Sequence, residues 1–166
     1  MVLGAALVAA LVLAGAGALK VVDPAPTAGA LRALGVPAPG WVVRVGAAAE
    51  LVLGVLAVVV GGAVVWVLVA LSYLAFAGFV VAALRAGTMV GSCGCFGRVD
   101  TPPHPLHVVV DLALAAAAGG AAVQGLVPLD ELADAPGQGL VIAALSVLGA
   151  VAVYVAFVGL PRALSH

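Results

Sequence analysis

Apolar residues run along this chain in five long blocks, and the interruptions between them are short and polar. A helix needs roughly 20 apolar residues to cross a bilayer. The pattern therefore predicts five spans, at residues 2–19, 42–60, 63–84, 105–127 and 140–160. Together they make one integral membrane domain over residues 1–166, an all-α, multi-pass transmembrane helical bundle. The first block carries no charge before Lys20, and no Lys or Arg precedes it. Without the basic flank of a signal peptide, it is expected to be a retained span. Ala6, Ala10, Ala14 and Ala18 recur at every fourth position, a ridge of small residues suited to close helix packing.

The interruptions have their own signals. Asp23-Pro24-Ala25-Pro26 breaks the first helix, and Pro37, Pro39 and Gly40 break the chain again. Residues 28–35 between them suit a short helix at the interface with Arg32 outward, and Trp41 stands where an interfacial aromatic belongs. Gly61-Gly62 marks a tight turn between the second and third spans. Residues 85–105 form the longest well-marked polar loop, and Pro105 suits the first turn of the next helix. Asp130, Glu131, Asp134, Pro136 and Gly137 read as an acidic loop, and Pro161 as the end of the last span.

Composition agrees with the pattern: 66% of residues are hydrophobic and only 8% charged, against about 25% charged in ordinary soluble domains. A net charge of -1 with no basic cluster gives no footing for nucleic acid. The few charges are distributed unevenly. With five spans, Lys20, Arg32, Arg44, Arg85, Arg98 and Arg162 all fall on the side of loop 85–105. The positive-inside rule puts that side in the cytoplasm. Disulfide chemistry belongs on the opposite, oxidising side, so the two arguments conflict over orientation.

That conflict matters because Cys93 and Cys95, the two cysteines of the chain, both lie in this loop, in Cys93-Gly94-Cys95-Phe96-Gly97. In extended backbone, Cα atoms two residues apart lie at about 5.5–7 Å, which partly overlaps the range a disulfide accepts. Gly94 relaxes the backbone enough to make closure feasible. Such a bond closes almost no loop and is a poor clamp. Strain also makes it labile and oxidising, which suits transfer of oxidising equivalents. Thiolate forms beside positive charge or at a helix N-terminus; Arg98 is three residues from Cys95, and the loop leads into the fourth span.

Other candidates surround this pair. Glu50 and Asp111 lie inside spans, where ionisable groups are costly and commonly functional. His107 and Asp111 are four residues apart and share a helix face, so His107 can carry protons to the thiols while Asp111 orients it. The plainer account is a polar knot joining helices, with Glu50 bound to Lys20 or Arg44. Cys93, Cys95, His104 and His107 also make a soft ligand set for Zn or Cu(I), although Cys-x-Cys is not the usual zinc spacing. Tyr73, Phe76 and Phe79 can flank a quinone that accepts electrons from the thiols; ordinary aromatic packing or lipid contact explains them as well.

The chain resembles the MauE family, related to DoxX-like membrane proteins. The resemblance rests on Ala-Gly-Ala-Leu-Lys20 followed by Val-Val-Asp23-Pro24, on Ala-Glu50-Leu-Val-Leu-Gly54, and above all on Cys93-Gly94-Cys95-Phe96-Gly97. It implies a four-helix core with one further span, in a bacterial cell membrane. It also implies thiol–disulfide exchange through Cys93 and Cys95 with a thioredoxin-like protein or a disulfide-containing client, in support of an exported enzyme's maturation. In the namesake that enzyme is linked to methylamine metabolism. Gly94, Phe96, Gly97, Lys20, Glu50, Arg98, His107 and Asp111 are then the supporting residues. The alternatives are a non-catalytic assembly scaffold, a Cys/His metal protein and, with less support, a transporter.

Overall fold

The computed structural model describes residues 2–86 and 103–164. Its helices are α1 (Val2–Val22), α2 (Ala25–Ala33), α3 (Gly40–Val59), α4 (Ala63–Ala86), α5 (Pro105–Gln124), α6 (Pro128–Asp134) and α7 (Pro136–Leu164). Among the described residues there is no strand. Five of the helices, α1, α3, α4, α5 and α7, are long and apolar enough to cross a membrane. Their outward positions are apolar too, including Val45, Val64, Leu71, Val109 and Leu148. A surface of that kind is stable against lipid, where it has no water to avoid.

The expected spans are all present, with shifted ends. α1 continues past Leu19 to Val22 because Lys20 is buried in the bundle instead of marking its edge. The short helix α2 starts at Ala25, before the expected 28–35, and keeps Arg32 exposed. The acidic stretch is not wholly loop: residues 128–134 fold as α6, whose first turn carries Asp130 and Glu131. Carboxylates there complement the positive end of the helix dipole. α7 runs on through Pro161 to Leu164. The hydrogen bond that a proline nitrogen cannot donate is lost here near the end of the helix.

Two tightly packed pairs organise the bundle, α1 with α3 and α4 with α5, while α7 lies at the periphery against α1. Small residues make the first pair possible. A Cβ placed on Gly17 would lie 2.6 Å from both Ala47 O and Leu51 N, and one on Gly54 would lie 2.6 Å from Ala10 O. The backbones therefore touch, which is how helices associate in lipid without a hydrophobic drive. The alanine ridge contributes in part: Ala6 and Ala10 are fully buried, whereas Ala14 and Ala18 are only partly covered.

Hydrogen bonds to backbone carbonyls stitch the pairs together. Tyr73 Oη donates to Ala9 O at 2.6 Å, and Trp66 Nε1 donates to Leu126 O at 2.9 Å. Gly61 and Gly62 turn the chain with φ of 63° and 82°, a conformation that favours glycine. Gly62 N also donates to Leu126 O, so the α3–α4 turn is fastened to the end of α5. At the opposite end of the bundle lie Val22, α2, Gly40, Ala86 and Pro105.

The glycine contacts give a direct test. Gly17→Val or Gly54→Val is expected to lower stability by about 1–3 kcal/mol or more, because the added carbons meet backbone. Gly78→Ala, with open space at its Cβ, is expected to be neutral or slightly stabilising. Thermal unfolding in detergent would report both.

Candidate functional site

Gly17 also determines what happens one turn further along α1. Its contacts with Ala47 and Leu51 bracket Glu50, and Lys20 follows Gly17 by three residues on the same helix. Lys20 Nζ is ion-paired with Glu50 Oε2, and the two side chains are only 5% and 19% exposed. That ion pair is the partner of Glu50 Oε2, which makes no other hydrogen bond among the described residues. The ammonium also lies 4.7 Å from the centroid of the Phe76 ring, a cation–π contact that adds to the pair in a desolvated place.

Of the two bases expected for Glu50, Arg44 is therefore not the partner. Its Nε donates to Val21 O at 3.0 Å and so satisfies one of the carbonyls left open at the end of α1. Lys20 does not belong to the loop either, and its charge stands inside the bundle.

Asp111 approaches the same centre from α5. It is 3% exposed, and its Oδ2 has no hydrogen-bond partner among the described residues. It lines a small cavity with Lys20, Tyr73, Phe76 and Phe157. The cavity leaves about 20 Å³ for the centres of water molecules, enough for one. On the other side of Lys20 and Phe76 a larger groove opens between α3 and α4, with about 290 Å³ on the same measure. Glu50, Phe79 and Val43 line it, and Thr27 and Leu31 of α2 cover one end.

His107 is fully buried at the start of α5. Its ring stacks on Phe157 with centroids 4.8 Å apart, and its Nε2 lies 3.3 Å from Phe157 O. Its Nδ1 accepts from His104 N at 3.4 Å, while His104 Nδ1 accepts from Leu106 N at 3.1 Å. The two histidines thus form a reciprocal cap on the helix that follows Pro103. Sequence reasoning missed this role, since imidazole is not among the usual capping groups. The capping-box spacing, with His104 as N-cap and His107 at the third helical position, was the available signal.

The structure thus brings Lys20, Glu50, Asp111, Tyr73 and Phe76 to one polar centre and holds His107 nearby on α5. Cys93, Gly94, Cys95, Phe96, Gly97 and Arg98 lie outside the described residues. Among the described residues no three of His, Asp and Glu come together as a metal-binding group.

Comparison with known proteins decides the family. The model of the methylamine utilisation protein MauE matches residues 1–124. The chain belongs to the MauE family. The match covers α1 to α5, so the two packed pairs and the polar centre lie within it and α7 lies beyond it. No curated protein and no solved structure matches the chain. Family membership and five apolar helices together make this a multi-pass membrane protein.

The histidine cap can be tested alone. His104→Ala is expected to cost about 1 kcal/mol, and His104→Asn to recover most of it, as for other N-caps. Thermal unfolding, with amide exchange at Leu106 and His107, would measure the effect.

Proposed function

We propose that this MauE-family protein is a membrane thiol–disulfide exchange protein that works through Cys93 and Cys95 to support maturation of an exported enzyme. The observation that carries this reading is the Cys93-Gly94-Cys95-Phe96-Gly97 segment. It holds the two thiols of the chain and falls inside the family match. A two-residue spacing disfavours a structural staple and favours exchange with another molecule.

The exchange proceeds in two displacements. A client thiolate attacks one sulfur of the Cys93–Cys95 disulfide, breaking that bond and forming a mixed disulfide. A second client thiolate then attacks the client's own sulfur in that bridge. It releases the second cysteine as thiolate and leaves a disulfide in the client. Returning Cys93 and Cys95 to the disulfide removes two electrons and two protons, which a thioredoxin-like disulfide or a quinone accepts, the quinone becoming a hydroquinone. The groove beside Phe76 and Phe79 supports a quinone as acceptor, because it is apolar, runs between α3 and α4, and ends on a polar pair.

Arg85, in the last turn of α4, and the capped start of α5 flank the cysteine segment in sequence. A cation and a helix N-terminus both favour thiolate. The competing use of His104 and His107 as metal ligands is less favoured, since both Nδ1 atoms already accept hydrogen bonds in the cap.

Trapping tests the proposal. In Cys93→Ser or Cys95→Ser, the mixed disulfide that the remaining thiolate forms by attacking a partner's disulfide cannot be resolved within the pair. One of these variants is expected to accumulate mixed disulfides with a thioredoxin-like partner or client, seen on non-reducing gels. If neither does, a non-catalytic assembly scaffold becomes the better account. A membrane-impermeant thiol reagent applied to intact cells would place the pair outside if it labels, and in the cytoplasm if labelling waits for lysis.

A further inference from the structure

The polar centre contains one ammonium and two carboxyl groups, and that inequality has a chemical consequence. Lys20 lines both the small cavity and the lateral groove, so it stands between Asp111 on one side and Glu50 on the other. Its ion pair is with Glu50. Asp111 is buried, and its Oδ2 has no hydrogen-bond partner among the described residues. An unpaired carboxylate is costly in a low-dielectric interior, and a buried group in that position takes up a proton instead.

Among the described residues, no second cation forms an ion pair at this centre. On α4, Tyr73 donates its hydroxyl proton to Ala9 O. On α5, His107 is placed to donate from Nε2 to Phe157 O while Nδ1 accepts from His104 N, the pattern of a neutral ring. On α7, Phe157 reaches the cavity, whereas Tyr154 lines a separate hollow with Leu11, Val12 and Leu19. On α3, Arg44 is exposed and bonded to Val21 O.

We propose that Lys20, Glu50 and Asp111 form a proton-holding site that stores one exchangeable proton for two carboxyl groups, with a water molecule in the cavity between Asp111 and Lys20. The proton resides on Asp111 while Lys20 pairs with Glu50. If Glu50 is neutralised, from the groove or by substitution, Lys20 becomes the counter-ion of Asp111 and the stored proton leaves. The site is thus a two-position switch for one cation, and it is independent of Cys93 and Cys95.

Infrared spectroscopy of the full chain in detergent or bilayers tests it. The wild type is expected to show the carbonyl band of a protonated carboxylic acid at neutral pH, shifted in heavy water. Asp111→Asn should abolish the band. Glu50→Gln should abolish it as well, although Glu50 is the ionised partner, because Asp111 then ionises beside Lys20. Lys20→Met should strengthen it about twofold, since both acids are then neutral, and this variant serves if Glu50→Gln does not fold.

A wild-type spectrum without the band, or a band that survives in Glu50→Gln, overturns the proposal. Unfolding supplies a second readout. The double variant Glu50→Gln/Asp111→Asn should lose more in thermal midpoint than the two single variants together, and adding Lys20→Met should recover much of that loss. Additive single and double effects count against the shared cation.

Discussion

The contact of Gly17 with the backbone of α3 is the constraint on which the centre of this protein depends. Helices in lipid have no hydrophobic drive to associate, so close approach and polar contacts must hold them. At Gly17 and Gly54 the absence of a side chain lets α1 and α3 touch. That approach places Lys20 against Glu50. Wider spacing would leave an ammonium and a carboxylate inside hydrocarbon without each other, which neither could tolerate. Packing and electrostatics are therefore one condition here, and small residues at two positions satisfy both.

The second pair, α4 with α5, is placed by side chains that find backbone carbonyls. Tyr73 reaches across to Ala9, and Trp66 fastens the far end through Leu126. Because α4 is committed to α5 and α3 to α1, the α3–α4 seam is the loose one, and the groove opens there. A cavity on the α5 side and a groove on the α3 side thus follow from the same division of the bundle, with Lys20 and Phe76 as the wall between them. α4 ends at Ala86 and α5 begins at its histidine cap on this same end of the bundle.

Thiol–disulfide exchange moves protons on and off sulfur, and a buried proton store within the bundle fits such chemistry without requiring it. The two proposals rest on different residues. The exchange rests on the cysteine segment and the family to which the chain belongs, and the store rests on the inequality of charges among α1, α3 and α5.

Much of the fold was legible in the sequence, because membrane spanning depends on a one-dimensional sum of side-chain transfer energies. That sum located five spans and the breaks at Asp23-Pro24 and Gly61-Gly62, and the Cys-Gly-Cys-Phe-Gly segment carried the family resemblance by residue identity alone. It could not see that Lys20 belongs inside the bundle, that residues 128–134 form a helix, or that His104 and His107 cap α5. Each depends on neighbours distant in the chain or on local geometry that hydropathy does not encode. Hydropathy and residue identity alone were enough to specify an all-helical membrane protein with two acids at intramembrane depth and one thiol pair. Which base pairs with Glu50 is settled by packing: Lys20 does so, not Arg44, and Asp111 forms no ion pair among the described residues, because charge pairing in hydrocarbon depends on which helices approach closely enough to touch.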